Sequence, residues 1–138
     1  MNLTKSMRNK LLDEINFAAD NMKKSDNPID KLYFYSAVHG TVQRIFNLEF
    51  DPELVFIFNV FEYTFNAMNN KLNIPASKGF PTSIPGDFFE KLEQCVRDLA
   101  EKIKADEKTY EVLERVANLG YTSTGNGLYL HYKGDLKI

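Results

Sequence analysis

Few residues of this chain are of types that carry out chemistry, and His39 and Glu62 form the best-placed pair. They belong to two consecutive apolar-patterned segments that turn back on each other near residue 49. Residues whose numbers add up to about 100 should therefore lie at similar height. A histidine beside a carboxylate can bind a metal ion or act as a general base. The pair predicts a ligand-binding region of His39 and Glu62, lined further by Asn59, Asn66 and Tyr35.

The spacings typical of metal and nucleophilic sites do not occur around this pair. Metal sites in helical bundles typically use Glu-x-x-His spacing, which the sequence lacks, and the second histidine, His131, lies in the tail. Cys95 falls in the middle of an apolar helical stripe, away from a helix N-terminus, so we expect a packed and unreactive thiol. We predict no catalytic residue, no set of metal ligands and no cofactor, which favours a protein that is not an enzyme.

Composition limits the classes of protein further. The chain has 138 residues, 43% apolar and 26% charged, which is typical of one globular domain. Its net charge of −2 gives no general attraction to nucleic acid or anionic membranes. The single cysteine fits a reducing compartment, and the first residues lack the apolar stretch of a secretory signal. The longest apolar segment is too short and polar to span a bilayer. These features predict a cytoplasmic protein without membrane contact.

Apolar residues recur at helical spacing in five segments, so the expected fold is all-α. We predict one domain over 1–138, built as an antiparallel four-helix bundle plus a fifth helix, because the first three helices are joined by short connections. The helices are predicted at about 3–24, 28–47, 52–73, 87–104 and 107–118. The proline-rich stretch 74–86 predicts an ordered crossover. Two β-prone runs around Gly125-Asn126-Gly127 predict a small C-terminal β-hairpin over about 121–132.

Several helix ends are also predicted from capping chemistry. Asp51 followed by Pro52 predicts the start of the third helix. Asp87 with Glu90 three residues later resembles a capping box for the fourth helix. Asp106 is expected to cap the fifth helix, which Gly120 should end.

The third predicted helix carries more apolar surface than one neighbour can cover. Its apolar residues span roughly 220° of the helix circumference, about twice the usual core-facing arc. Such a helix needs protein on two sides, so it predicts either a central position or a subunit interface. The function that follows is a non-catalytic interaction module that forms a homodimer or binds another protein. The predicted interface consists of Phe56, Val60, Tyr63, Tyr129 and His131.

One alternative arises from the last 50 residues. A helix, a short turn, a second helix and a glycine-tipped hairpin follow the order of a winged helix, and the run from Val112 to Tyr121 resembles the end of such domains. The resemblance implies DNA binding by the C-terminal half. However, Glu107, Glu111 and Glu114 would repel phosphate groups, so charge disfavours nucleic acid as a partner.

Overall fold

The structure is a computed structural model that describes residues 1–73 and 86–124. Five helices account for most of these residues, so the all-α prediction is confirmed for the described part of the chain. They are α1 (Lys5–Lys24), α2 (Pro28–Leu48), α3 (Pro52–Asn73), α4 (Phe88–Lys104) and α5 (Tyr110–Thr124). Most of the predicted crossover, 74–85, and residues 125–138 lie outside the described residues.

The five helices close into a ring in the order α1, α2, α3, α5, α4. Helix α5 lies between α3 and α4, and no α carbon of α3 comes within 8 Å of one in α4 in the described residues. Helices α3 and α5 run in the same direction, because Glu53 contacts Thr109 near their starts and Thr64 contacts Val116 further along. The fifth helix is therefore a member of the ring rather than an addition to a closed four-helix bundle.

The core occupies the centre of this ring and receives side chains from every helix. Its largest fully buried members include Tyr35 of α2 and Phe61 of α3, whose rings stack at 5.1 Å with an angle of 9°. An aromatic pair of this kind contributes about 0.5–1.5 kcal/mol beyond the area it buries. Their contact also confirms that α2 and α3 pair antiparallel with residue numbers adding up to about 100.

The start of α3 matches its prediction. One carboxylate oxygen of Asp51 accepts a hydrogen bond from the backbone N–H of Glu53 at 2.8 Å, and the other accepts one from Asn2 at 2.8 Å. Burial raises the pKa of Asp51, but the N–H donors of Asn2, Glu53 and Leu54 outweigh this effect and the pKa lies below its usual value. This cap therefore also attaches the chain before α1 to the α2–α3 turn.

Asp87 is the N-cap residue of α4, as predicted, but its carboxylate makes no capping bond and instead pairs with Lys91 at 2.8 Å. The predicted roles of Asp106 and Gly120 are wrong. Asp106 adopts φ 56° and ends α4, since its N–H donates to Ile103 and that of Glu107 donates to Lys102. This is the pattern of a Schellman motif, so the residue belongs to the preceding helix.

The fifth helix also differs from its prediction. It begins at Tyr110 and continues through Gly120 to Thr124. Residues 121–124, the first strand of the predicted hairpin, are therefore helical, and the rest of that hairpin lies outside the described residues. Gly120 lies inside α5 rather than at its end. Its missing Cβ atom allows α5 to approach α3 closely, as the contact with Thr64 shows.

Candidate functional site

His39 lies in the seam between α2 and α3, surrounded by aromatic rings. Its ring centroid is 6.4 Å from that of Tyr35, 6.0 Å from Phe58 and 5.3 Å from Phe65. Its Nδ1 atom is buried without a hydrogen-bond partner, and burial lowers the pKa of the imidazole. The side chain is therefore neutral at pH 7 and lies in apolar surroundings.

The remaining residues of the predicted ligand region point in different directions. The Tyr35 hydroxyl is directed into the core, where it donates a hydrogen bond to the carbonyl of Phe61 at 3.0 Å. Glu62 is half-buried at the same height as His39, yet the two form neither a hydrogen bond nor an ion pair. Asn59 and Asn66 are exposed on the outer side of α3. The Tyr35 hydroxyl therefore faces the core, whereas the Asn59 and Asn66 side chains face outward.

No group of three or more histidine, cysteine, aspartate or glutamate side chains is arranged for metal binding in residues 1–73 and 86–124. Cys95 of α4 is buried, with an Arg115 Nη1 atom 3.8 Å from its sulfur. Burial raises the pKa of this thiol to about 11, although the Arg115 charge acts in the opposite direction. At neutral pH it is a protonated thiol, the poorly nucleophilic form.

An apolar groove separates the outer sides of α3 and α5. Phe56 is 44% exposed and Tyr110 is 51% exposed, and their rings meet edge to face at 5.5 Å. Val60 and Leu113 are buried beneath them, and Glu114 completes a groove with a volume of about 250 Å³. Helix α3 is therefore covered by α2 and α5 on two sides, but Phe56 remains accessible.

The groove contains part of the predicted interface. Phe56 and Val60 line the groove, and Tyr63 lies half-buried on α3, two turns after Phe56. Tyr129 and His131 lie outside the described residues. Sequence reasoning missed Tyr110, although its spacing of three from Leu113 would have placed it on the same face of α5.

The outer side of α5 carries the negative charge that the sequence suggested. Glu111 and Glu114 are exposed on the helix, and Glu107 is exposed just before it. The Arg115 guanidinium is held by Glu111 at 2.7 Å and by Asp98 at 2.8 Å. The run that resembled the end of a winged helix lies within continuous helix, because α5 extends to Thr124.

None of the described helices combines the length and apolar character needed to cross a lipid bilayer. No protein-family model, curated protein or solved structure matches the chain.

Proposed function

We propose that this protein is a non-catalytic interaction module of the cytoplasm that forms a homodimer. The observation that supports the proposal is the set of large hydrophobic side chains left exposed after the core is filled. In the described residues they are Phe17, Ile29, Tyr33, Leu48, Phe50, Phe56 and Tyr110. Single exposed hydrophobic residues are ordinary, but groups of them are typical of protein-contact surfaces.

Four of these seven side chains, Phe17, Tyr33, Phe56 and Tyr110, belong to aromatic groups. Phe56 contacts Tyr110 across the groove between α3 and α5. On the opposite part of the ring, Phe34 contacts both Phe17 and Tyr33, with ring centroids at 6.4 and 5.4 Å. Aromatic side chains are favoured at protein interfaces because each buries a large area at a small entropy cost.

The polar side chains of the described chain support binding better than catalysis. The Cys95 thiol is protonated at neutral pH, and the His39 imidazole is surrounded by aromatic rings. Neither has a nucleophile–base partner at hydrogen-bonding distance of the kind that covalent catalysis requires. A surface that binds another protein requires none of these groups.

Sedimentation velocity across low to high micromolar concentrations tests the proposal. We expect the average mass to rise from that of the 15.9 kDa chain toward twice that value as concentration increases. A single species of 15.9 kDa over the whole range would contradict self-association.

Two apolar surfaces could form the dimer contact. One is the α3–α5 groove, and the other is the outer face of α2. Replacing Phe56 with serine removes the most accessible ring on α3 and tests the groove. Phe50, an exposed phenylalanine in the turn before α3, provides a control of the same residue type.

A further inference from the structure

The outer face of α2 contains a glycine that the described fold does not require. Gly40 lies in the interior of a 21-residue helix, where glycine is less stable than alanine. A Cβ atom at this position would meet only the end of the Arg44 side chain, at an ordinary 3.7 Å. Internal packing therefore does not explain this glycine, whereas an approaching molecule would.

The residues around Gly40 combine protruding apolar side chains with opposite charges. Tyr33, one of the most exposed large hydrophobic residues, is 69% exposed and lies two turns before Gly40 on the same side of the helix. Ile29 and Leu48 are exposed near the two ends of the helix, at 55% and 72%. We define the α2 outer face as Ile29, Asp30, Tyr33, Gly40, Arg44 and Leu48.

Asp30 and Arg44 are the two charged members of the α2 outer face. The Asp30 carboxylate accepts a hydrogen bond from the Asn27 side-chain amide at 2.7 Å, and the Asp30 backbone N–H donates one to the Asn27 side-chain oxygen at 2.9 Å. The Arg44 guanidinium donates to the Thr41 hydroxyl at 2.9 Å. Both side chains are exposed, and neither forms an ion pair with another described residue. Their charges are therefore available to a molecule that binds this face.

The α2 outer face is complementary to a second copy of itself in antiparallel orientation. Consider a two-fold axis that passes near Ala37. Residues equally far from Ala37 on either side then face each other, because each residue adds about 1.5 Å along the helix axis. Asp30 then lies opposite Arg44 of the second copy, since each is seven residues from Ala37. Tyr33 is four residues before Ala37 and Gly40 three after it, so Tyr33 lies within about 1.5 Å, along the helix axis, of the position opposite Gly40 of the second copy. The same contacts recur on the other side of the axis, as two-fold symmetry requires.

We infer that the protein dimerises by packing α2 antiparallel against α2 of a second copy, with Tyr33 of each chain over Gly40 of the other. This inference rests on the self-association proposed above and identifies the surface that makes it. The ring of Tyr33 occupies the space that the missing Cβ atom of Gly40 leaves on the other chain. The two Asp30–Arg44 pairs fix the direction, since a parallel arrangement would place like charges opposite each other.

The dimensions of this face suit a dimer contact. Helix α2 has 21 residues and is therefore about 30 Å long. Phe17 of α1 continues the apolar surface sideways through its contact with Phe34. A stable contact buries about 800 Å² on each partner, so we expect it to involve α1 as well as α2.

The α3–α5 groove lacks comparable self-complementarity. Among its described lining residues Glu114 is charged and none is a cation, so a two-fold axis through the groove creates no pair of opposite charges. The groove therefore stays accessible in the dimer that we infer.

Charge exchange tests the inference by sedimentation equilibrium on the full chain. We expect Asp30→Lys and Arg44→Glu each to raise the dimer dissociation constant about 10-fold or more, because each places like charges opposite each other. The double variant restores opposite charges and should return to within about 3-fold of the original constant. Circular dichroism and melting of each variant establish that it is folded.

Two further variants address the Tyr33–Gly40 contact. Tyr33→Ser and Gly40→Leu should each raise the dissociation constant about 10-fold, whereas the control Phe50→Ser should leave it unchanged. If the wild-type chain dimerises while these changes have no effect and Phe56→Ser weakens the dimer, the α2 contact is wrong and the proposed self-association stands. A chain that is monomeric at every concentration would overturn both.

Discussion

The hydroxyl oxygen of Thr64 lies only 3.1 Å from the position that a Cβ atom of residue 120 would occupy. Thr64 is fully buried, and its hydroxyl donates a hydrogen bond to the carbonyl of Val116 at 3.3 Å. Gly120 thus lies at a close approach of two parallel helices, α3 and α5. The hydrogen bond holds the threonine side chain on the surface of α5, so it has little freedom to move away.

We predict that Gly120→Ala destabilises the protein despite its better helix propensity. Alanine gains about 1 kcal/mol of propensity over glycine, whereas overpacking a rigid contact costs about 1–3 kcal/mol. The expected net loss is about 1 kcal/mol in the free energy of unfolding, measured by urea denaturation.

Gly40→Ala provides the matched control for this change. Its Cβ atom meets Arg44 at an ordinary distance of 3.7 Å. Measured at concentrations where the chain is monomeric, this variant should be more stable than wild type by about 0.5–1 kcal/mol. Equal gains from both alanines would show that the Thr64 contact imposes no constraint.

A second prediction concerns the buried carboxylate of Glu53 at the start of α3. One of its oxygens accepts hydrogen bonds from the Thr109 N–H at 2.9 Å and from the Thr109 hydroxyl at 2.7 Å. Removal of such an acceptor leaves a buried donor unpaired, which costs about 1–3 kcal/mol. We expect Glu53→Ala to lose at least this much stability in urea denaturation, and the exposed Glu90→Ala to change little.

The substitution Thr109→Val separates the two hydrogen bonds at this site. Valine keeps the backbone N–H and removes only the hydroxyl donor, so the expected loss is smaller than that of Glu53→Ala. A loss as large as that of the glutamate variant would mean that the hydroxyl carries the whole interaction.

A third prediction follows from the burial of His39 among aromatic rings. Burial lowers its pKa in the folded state, whereas an unfolded histidine has a pKa of about 6.5. The unfolded chain therefore binds the proton more readily, and the contribution of His39 to stability decreases as pH falls through about 6.5 toward the folded pKa. Above that range the contribution does not change with pH.

His39→Phe tests this pH dependence by removing the titrating group and the unpaired Nδ1 atom. The stability difference between the variant and wild type should grow in favour of phenylalanine between about pH 7.5 and 5.5. Glu62 is the charged residue of α3 at the same height as His39. The variant Glu62→Gln therefore tests whether the charge of Glu62 contributes to this pH dependence. A difference that stays constant across this range would contradict a neutral buried histidine.

Asp51 titrates in a lower range and with a different cause. Its pKa is held below the usual value by backbone N–H donors that outweigh burial, so its contribution is lost only as pH falls below the unfolded value of about 4. The loss of stability due to Asp51 and the loss due to His39 therefore fall in different pH ranges and can be measured separately.

Much of the helical pattern could be predicted from residue spacing, and the failures have local physical causes. The 52–73 helix was predicted from Asp51-Pro52 and its apolar residues, and α3 has these bounds. Asp106 is predicted to be an N-cap because aspartate favours that position. It is instead a rare non-glycine residue in the left-handed region, where the Schellman bonds hold it.

The position of α5 could not be predicted from its own sequence. Gly120 has the appearance of a helix stop, and only the threonine on a helix more than 50 residues earlier in the chain explains it. The same holds for Glu53, whose position on α3 reveals nothing of the Thr109 donors. Long-range contacts of this kind leave no periodic signal in one sequence.

The last prediction concerns the reactivity of Cys95. Burial raises the pKa of its thiol to about 11, so only a small fraction is thiolate at neutral pH, and the side chain is only 2% exposed. We expect a disulfide reagent such as dithionitrobenzoate to modify the native protein slowly and the urea-unfolded protein rapidly. Because the Arg115 charge lowers this pKa, Arg115→Gln should not accelerate the reaction through thiolate formation. If the native thiol reacts as fast as the unfolded one, the thiol is accessible and the packing of α4 against α5 is looser than these contacts indicate.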